Sequence, residues 1–211
     1  MARIVRNIPK ADHLMGSMRS MGYTFEAAIA DIIDNSISAN SHNVHLFFPS
    51  DPIHCFVSIL DDGDGMTKSE LLEAMRYGST SSESMRSETD LGRFGLGLKA
   101  ASLSQCSKLT VVSKKGQHIS SYRWDYNFIK ENKDWDILEL NDNEIAALPT
   151  IDSLKNYEHG TLVIWEDFDV LEKSNNGQIY AALCDYKSKI AQYIGLIFHR
   201  YIGAKGGNAI T

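Results

Sequence analysis

Three stretches of this chain hold the residue types that do chemistry. In Asp61-Asp62-Gly63-Asp64-Gly65-Met66, acids and glycines follow directly on an apolar run. Glycines let a backbone approach a flat ligand closely, and Asp61 would accept a hydrogen bond at the bottom of a pocket, for which an exocyclic amine is a natural donor. In Gly92-Arg93-Phe94-Gly95-Leu96-Gly97-Leu98-Lys99, glycines lead into a helical run. Amides that open a helix in this way face an anion, and Lys99 either adds a point charge there or points to solvent. The third stretch, Ala28 to Ala39, sets Asp31 and Asn35 four residues apart, so a helix carries both on one edge.

Each constellation has to be positioned by an element. Thr24 caps the Asp31/Asn35 helix, Glu26 suits its positive end, and Ile29, Ile32, Ile33 and Ile37 give it a buried stripe. Val44–Phe48 and His54–Leu60 read as a hairpin around Pro49-Ser50-Asp51-Pro52, and its second strand delivers Asp61. The acid-rich turn is a poor calcium loop, because further oxygen ligands at the fixed offsets are missing and, counted from Asp61, neither Glu70 nor Glu73 falls at the twelfth position. A short helix follows from Thr67 to about Arg76, with Thr67 and Glu70 as a capping box. Residues 78–90 are small, polar and aperiodic, either a passive loop or a lid. The glycine run lacks the Gly-Lys-Ser/Thr ending of a Walker A loop, and no strand leads into it as a dinucleotide fingerprint requires. Leu109–Lys114 and His118–Tyr126 form a second hairpin, Trp135–Leu140 a further strand, and Gly160–Glu166 a clear strand with Thr161 near its start. Residues 141–159 are a polar connection, and a helix from about Gln178 to His199 closes the order. At the amino end, Ala11–Met18 forms a short helix that either covers the core or reaches a second copy.

Composition bounds the class. A chain of 211 residues with 43% apolar and 23% charged side chains supports one well-filled globular domain, or at most two small ones. The net charge of -6 gives no footprint for nucleic acid, so DNA stays a partner unsupported by charge. Cys55, Cys106 and Cys184 read as buried free thiols of a reducing compartment. No apolar run is long enough for a bilayer and no secretory h-region opens the chain, which points to the cytoplasm and no membrane partner. His45 and His54 read as structural, and Trp124, Trp135 and Trp165 as sheet packing.

Taken in order, these motifs resemble the ATP-binding domain shared by DNA gyrase B, the Hsp90 chaperones, sensor histidine kinases and the MutL mismatch-repair proteins, with MORC-like and related prokaryotic members the most similar. The acid-x-x-x-Asn motif matches Asp31 and Asn35, the Asp-x-Gly-x-Gly box Asp61, Gly63 and Gly65, the second glycine box Gly92 to Lys99, and the late Gly-Thr Gly160-Thr161. The resemblance implies an α+β two-layer sandwich, with a mixed, mostly antiparallel sheet covered on one face by helices. It implies ATP and Mg2+ as cofactors. Asn35 would hold the metal, Asp61 would take the adenine amine with Thr161 in support, and Gly63, Gly65 and Met66 would lie along the base. Gly92, Arg93, Phe94, Leu96 and Lys99 would line the phosphates, to which Gly95 and Gly97 would turn their amides. Residues 78–92 would be the ATP lid, 1–22 a lead-in with a possible dimerisation role, and 23–200 the domain proper.

Asp31 departs from the Glu that most such members use as general base. Its carboxylate starts about 1.5 Å short, a displacement that costs on the order of 100-fold in rate unless the helix moves in. The resemblance also implies a lysine from a following domain, with residues 201–211 as the start of that region. The expectation is therefore slow, magnesium-dependent ATP hydrolysis, weak in isolation, that drives lid closure and homodimerisation of a longer protein. The rivals are a nucleotide-binding switch without turnover and a kinase-type phosphotransfer module, the latter disfavoured because no phosphoacceptor helical hairpin precedes the domain.

Overall fold

The computed structural model describes residues 3, 5, 7–20, 22–77 and 97–202. Within them one six-stranded sheet comprises β1 (Val44–Phe47), β2 (Phe56–Asp61), β3 (Lys108–Lys115), β4 (His118–Asp125), β5 (Leu138–Glu139) and β6 (His159–Glu166). The spatial order is β1-β2-β6-β3-β4-β5, and every pairing among the described residues is antiparallel. The late strand β6 thus enters between the two hairpins. Its register sets Thr161 opposite Asp61 on one side and opposite Ser113 on the other. Residues directly opposite on paired strands share a face, so these three side chains form a row across the sheet.

Period-two alternation decides which face that is. Val57 and Ile59, Val163 and Trp165, and Leu109 and Val111 lie on the larger core with the same parity as the row. That core is roofed by α1 (Ala11–Arg19), α2 (Phe25–Ser38), α3 (Lys68–Met75), α4 (Gly97–Gln105), α5 (Tyr126–Asn132), α8 (Asp169–Ser174) and α9 (Ile179–Ile197). Two short helices, α6 (Asp142–Ala146) and α7 (Ile151–Lys155), cover part of the opposite face, where Leu60, Val112, Leu162 and Ile164 pack on Ile145, Ile151 and Leu154. The fold is the expected α+β sandwich, with this small second cover added.

The strongest local signals produced their elements. Thr24 accepts the Ala27 amide at 3.2 Å at the start of α2, and Thr67 with Glu70 closes a capping box on α3. The connection 141–159 carries α6, which Asn141 and Glu144 open with a second capping box, and α7. Asp125 caps α5 through the amides of Asn127 and Phe128, and of the strand expected at Trp135–Leu140 only Leu138–Glu139 pair. Of the three cysteines expected to be buried, Cys106 is, Cys55 is half-buried and Cys184 is exposed. Helix α1 buries Ala11, Met15 and Met18, and no helix among the described residues is long and apolar enough to cross a membrane.

Candidate functional site

Asp61 ends β2 under the roof of α2 and is 6% exposed. Its Oδ1 accepts the amides of Gly63 at 3.0 Å and Thr161 at 3.1 Å, and its Oδ2 accepts the Ser36 hydroxyl at 2.9 Å. A carboxylate offers about four lone-pair positions, so these donors leave one, on Oδ2. Burial pushes the Asp61 carboxyl up to about 6, with the three donors pulling against it. Ser36 directly follows Asn35, so one hydrogen bond ties the polar edge of α2 to the strand end.

Beside Asp61 the sheet row continues as hydroxyls. Thr161 Oγ1 lies 3.1 Å from Ser113 Oγ, which also donates to the Gly160 carbonyl at 3.2 Å and accepts the Met66 amide at 2.8 Å. The turn residues therefore fold back onto β3. Gly65 has φ +62°, and a Cβ there would lie 2.0 Å from the Lys114 carbonyl; one at Gly63 would lie 2.7 Å from that of Ala39. The room denied to a side chain at both glycines is taken by this chain's own backbone, which gives them a reason besides the approach of a ligand. The other turn acids are fasteners: Asp62 accepts from His42 N, Asn43 N and Asn43 Nδ2, and Asp64 from Asn40 Nδ2. No three His, Cys, Asp or Glu side chains converge on a metal position among the described residues.

One turn earlier, α2 presents its second polar group. Asp31 is half-buried and takes a hydrogen bond from the Tyr23 phenol; burial raises its carboxyl, and the phenol opposes that rise. Tyr23 is held in turn by Gln105 Nε2 on its carbonyl at 3.0 Å. Across from Asp31 stands the first turn of α4, where a Cβ on Gly97 would lie 3.8 Å from Asp31 Oδ2. Asn35 is exposed. Asp34, between them, is pushed up to about 6 by burial and by the charge of Asp31.

Lys99 corrects the sequence reading. It is 1% exposed, and its Nζ donates to the carbonyls of Ala74 at 2.7 Å and Arg76 at 2.8 Å. Residue Lys99 lies in the first turn of α4, and its flexible stem carries the ammonium away to the carbonyl-rich end of α3, where a cation is favoured. Burial pulls this amine down to about 8. Gly92, Arg93, Phe94, Gly95 and Leu96, and the lid expected at 78–92, lie outside the described residues.

The structure thus brings Asp61, Thr161, Gly63, Gly65 and Met66 together and joins them to the Asp31/Asn35 edge through Ser36. Ser36, Ser113 and Tyr23 were missed as site residues. Ser36 could have been found, since it adjoins Asn35 on a helix already placed; Ser113 sits mid-strand with no local signal, and only the pairing with β6 reveals it.

A buried acid at a strand end, an acid and an amide on the edge of the covering helix, and an antiparallel sheet beneath them are set on an α+β sandwich. The chain belongs to the histidine kinase-, DNA gyrase B- and HSP90-like ATPase family, whose model matches residues 23–161. Over 126 residues, 58% of this chain, it is 28% identical to ATPase morc-1 of Caenorhabditis elegans, and it spans 14% of that protein's length. Family membership implies ATP binding and makes the chain a candidate ATPase.

Proposed function

We propose that this chain binds magnesium-ATP and hydrolyses it slowly. The observation that carries the reading is Asp61: a buried carboxylate with one acceptor position left, hydrogen-bonded to the residue beside Asn35. That position takes a proton of the adenine amine, and Thr161 supports the contact. The exposed Asn35 suits Mg2+, which keeps several waters, draws further oxygens from phosphates and needs few from protein. Asp31 is the base. Its carboxylate, steered by Tyr23 towards the opening of α4, orients a water and accepts its proton. Closure of segment 78–92 and pairing of two copies within a longer protein complete the reading; both rest on the family resemblance.

The test pairs ATP affinity with phosphate release, in the presence and absence of magnesium. Asp31→Asn is expected to slow release by about 100-fold while changing affinity by less than about threefold. Asn35→Ala is expected to remove the magnesium dependence of affinity. Equal turnover in wild type and Asp31→Asn would take the base away from Asp31. A second reading, a binding switch without turnover, is favoured by one feature: a short, half-buried acid already engaged by a phenol. It predicts saturable ATP binding with no phosphate release at any protein concentration.

A further inference from the structure

The hydroxyls beside Asp61 can be assigned proton by proton. Ser113 is fully buried, and Thr161 and Asp61 are 9% and 6% exposed, so bulk water does not set their hydrogen bonds. A serine hydroxyl has one proton and two lone pairs, and one lone pair of Ser113 Oγ takes the Met66 amide at 2.8 Å. The Gly160 carbonyl, 3.2 Å away, can only accept. If Ser113 gave its proton to Thr161 instead, its oxygen would face that carbonyl lone pair to lone pair. With the proton on the Gly160 side, the second lone pair of Ser113 faces Thr161 Oγ1 at 3.1 Å, and Thr161 must donate. The Thr161 proton is then consumed inside the protein. What the Thr161 hydroxyl has left to offer is lone pairs only, on the residue whose amide donates to Asp61 Oδ1.

We propose that Ser113 is a positioning residue for base selectivity: by holding Thr161 Oγ1 as an acceptor, it makes the purine end accept a 6-amino group and reject a 6-oxo group. This rests on the ATP reading above and adds the device by which the base is selected. Acceptors on both Asp61 and Thr161 match the two N–H bonds of a 6-amino group, whereas a 6-oxo oxygen there meets acceptors with no proton between them. Removing the Ser113 hydroxyl frees Thr161 to rotate and donate, so a 6-oxo base gains a partner and selectivity falls.

The experiment is calorimetric titration of the intact chain with ATP and with inosine triphosphate, which differs at position 6 and N1. Wild type is expected to prefer ATP by at least about 100-fold, and Ser113→Ala to cut that preference by about 10-fold. The apo unfolding temperature of each variant separates a local effect from loss of fold. In a Thr161→Val background, Ser113→Ala is expected to leave the preference unchanged, since its intermediary is gone. An unchanged ratio in Ser113→Ala, an equal loss of both nucleotides, or a wild type without base preference would each overturn the assignment while leaving ATP binding in place. A wild type that takes up neither nucleotide would overturn the ATP reading and this one with it.

Discussion

On α2, Ser36 shares a 2.9 Å hydrogen bond with Asp61 beside a row of buried hydroxyls; Asn35, the residue before it, faces solvent, and a turn earlier Asp31 is half-buried. The same helix supports both regions, yet they are finished to different degrees. Around Asp61 the donors of Gly63, Thr161 and Ser36 are already in place, so recognition there needs little reorganisation. Around Asp31 and Asn35 the described partners are Tyr23 and the first turn of α4. On the proposed reading this edge admits water and a hydrated cation, and such a site cannot be closed in advance, because burying an unpaired charge is costly. If the proposed function holds, the labour is divided: selectivity is built into the sheet, and chemistry is left at the helix edge.

Several substitutions would break or sharpen that contrast. The largest effect is expected from Gly65→Ala, which demands positive φ from an L side chain and drives a Cβ into the Lys114 carbonyl. Denaturant unfolding should show a loss of about 3 kcal/mol or more, with nucleotide binding lost alongside. Next comes Asp61→Ala, which leaves the Gly63 and Thr161 amides unpaired and removes the acceptor for the base. ATP affinity measured by calorimetry should fall by about 10- to 100-fold. If it did not, the purine end would lose its defining group.

Lys99→Met tests which side of the comparison that residue serves. Two carbonyls at the end of α3 lose their charged donor, so stability to denaturant should drop by about 1–3 kcal/mol while ATP affinity stays within about threefold. A large affinity loss with normal stability would return Lys99 to the phosphate end. The smallest effect is in pH. Asp61 has its carboxyl raised in the folded state, so the folded form holds that proton more tightly than the unfolded chain. Its contribution to apo stability therefore declines as pH rises from the ordinary carboxylate range through about 6. Binding runs the other way, since only the carboxylate accepts the amine: ATP affinity should weaken below about pH 6, by less than tenfold per pH unit, and this slope should vanish in Asp61→Ala. A slope that survives the substitution would belong to another group.

Much of this arrangement was legible in the chain. The stripe of Ile29, Ile33 and Ile37 with Thr24 as cap specified α2 and with it the Asp31/Asn35 edge, because helical period and capping are local properties. The acid-glycine turn after an apolar run announced Asp61 for the same reason. The ends of long side chains were not legible. Lys99 stands where a phosphate contact was expected, but a flexible stem goes wherever carbonyls lie unpaired, and Ala74 and Arg76 become its neighbours only once α3 and α4 pack. Asp62 and Asp64, for which the sequence offered no role once a calcium loop was set aside, satisfy the connection between α2 and β1.

By itself, then, the sequence determined the helix, the two hairpins, the capped α3 and the strand end that bears Asp61, each encoded within a few residues by period, cap or turn chemistry. Tertiary structure alone decided that β6, some 100 positions after β2 in the chain, would slip between β2 and β3 and place Thr161 between Asp61 and Ser113. No local pattern encodes that register. It follows from burying Val163 and Trp165 on one face and Leu162 and Ile164 on the other, since a shift of one residue would turn every side chain of β6 to the wrong core.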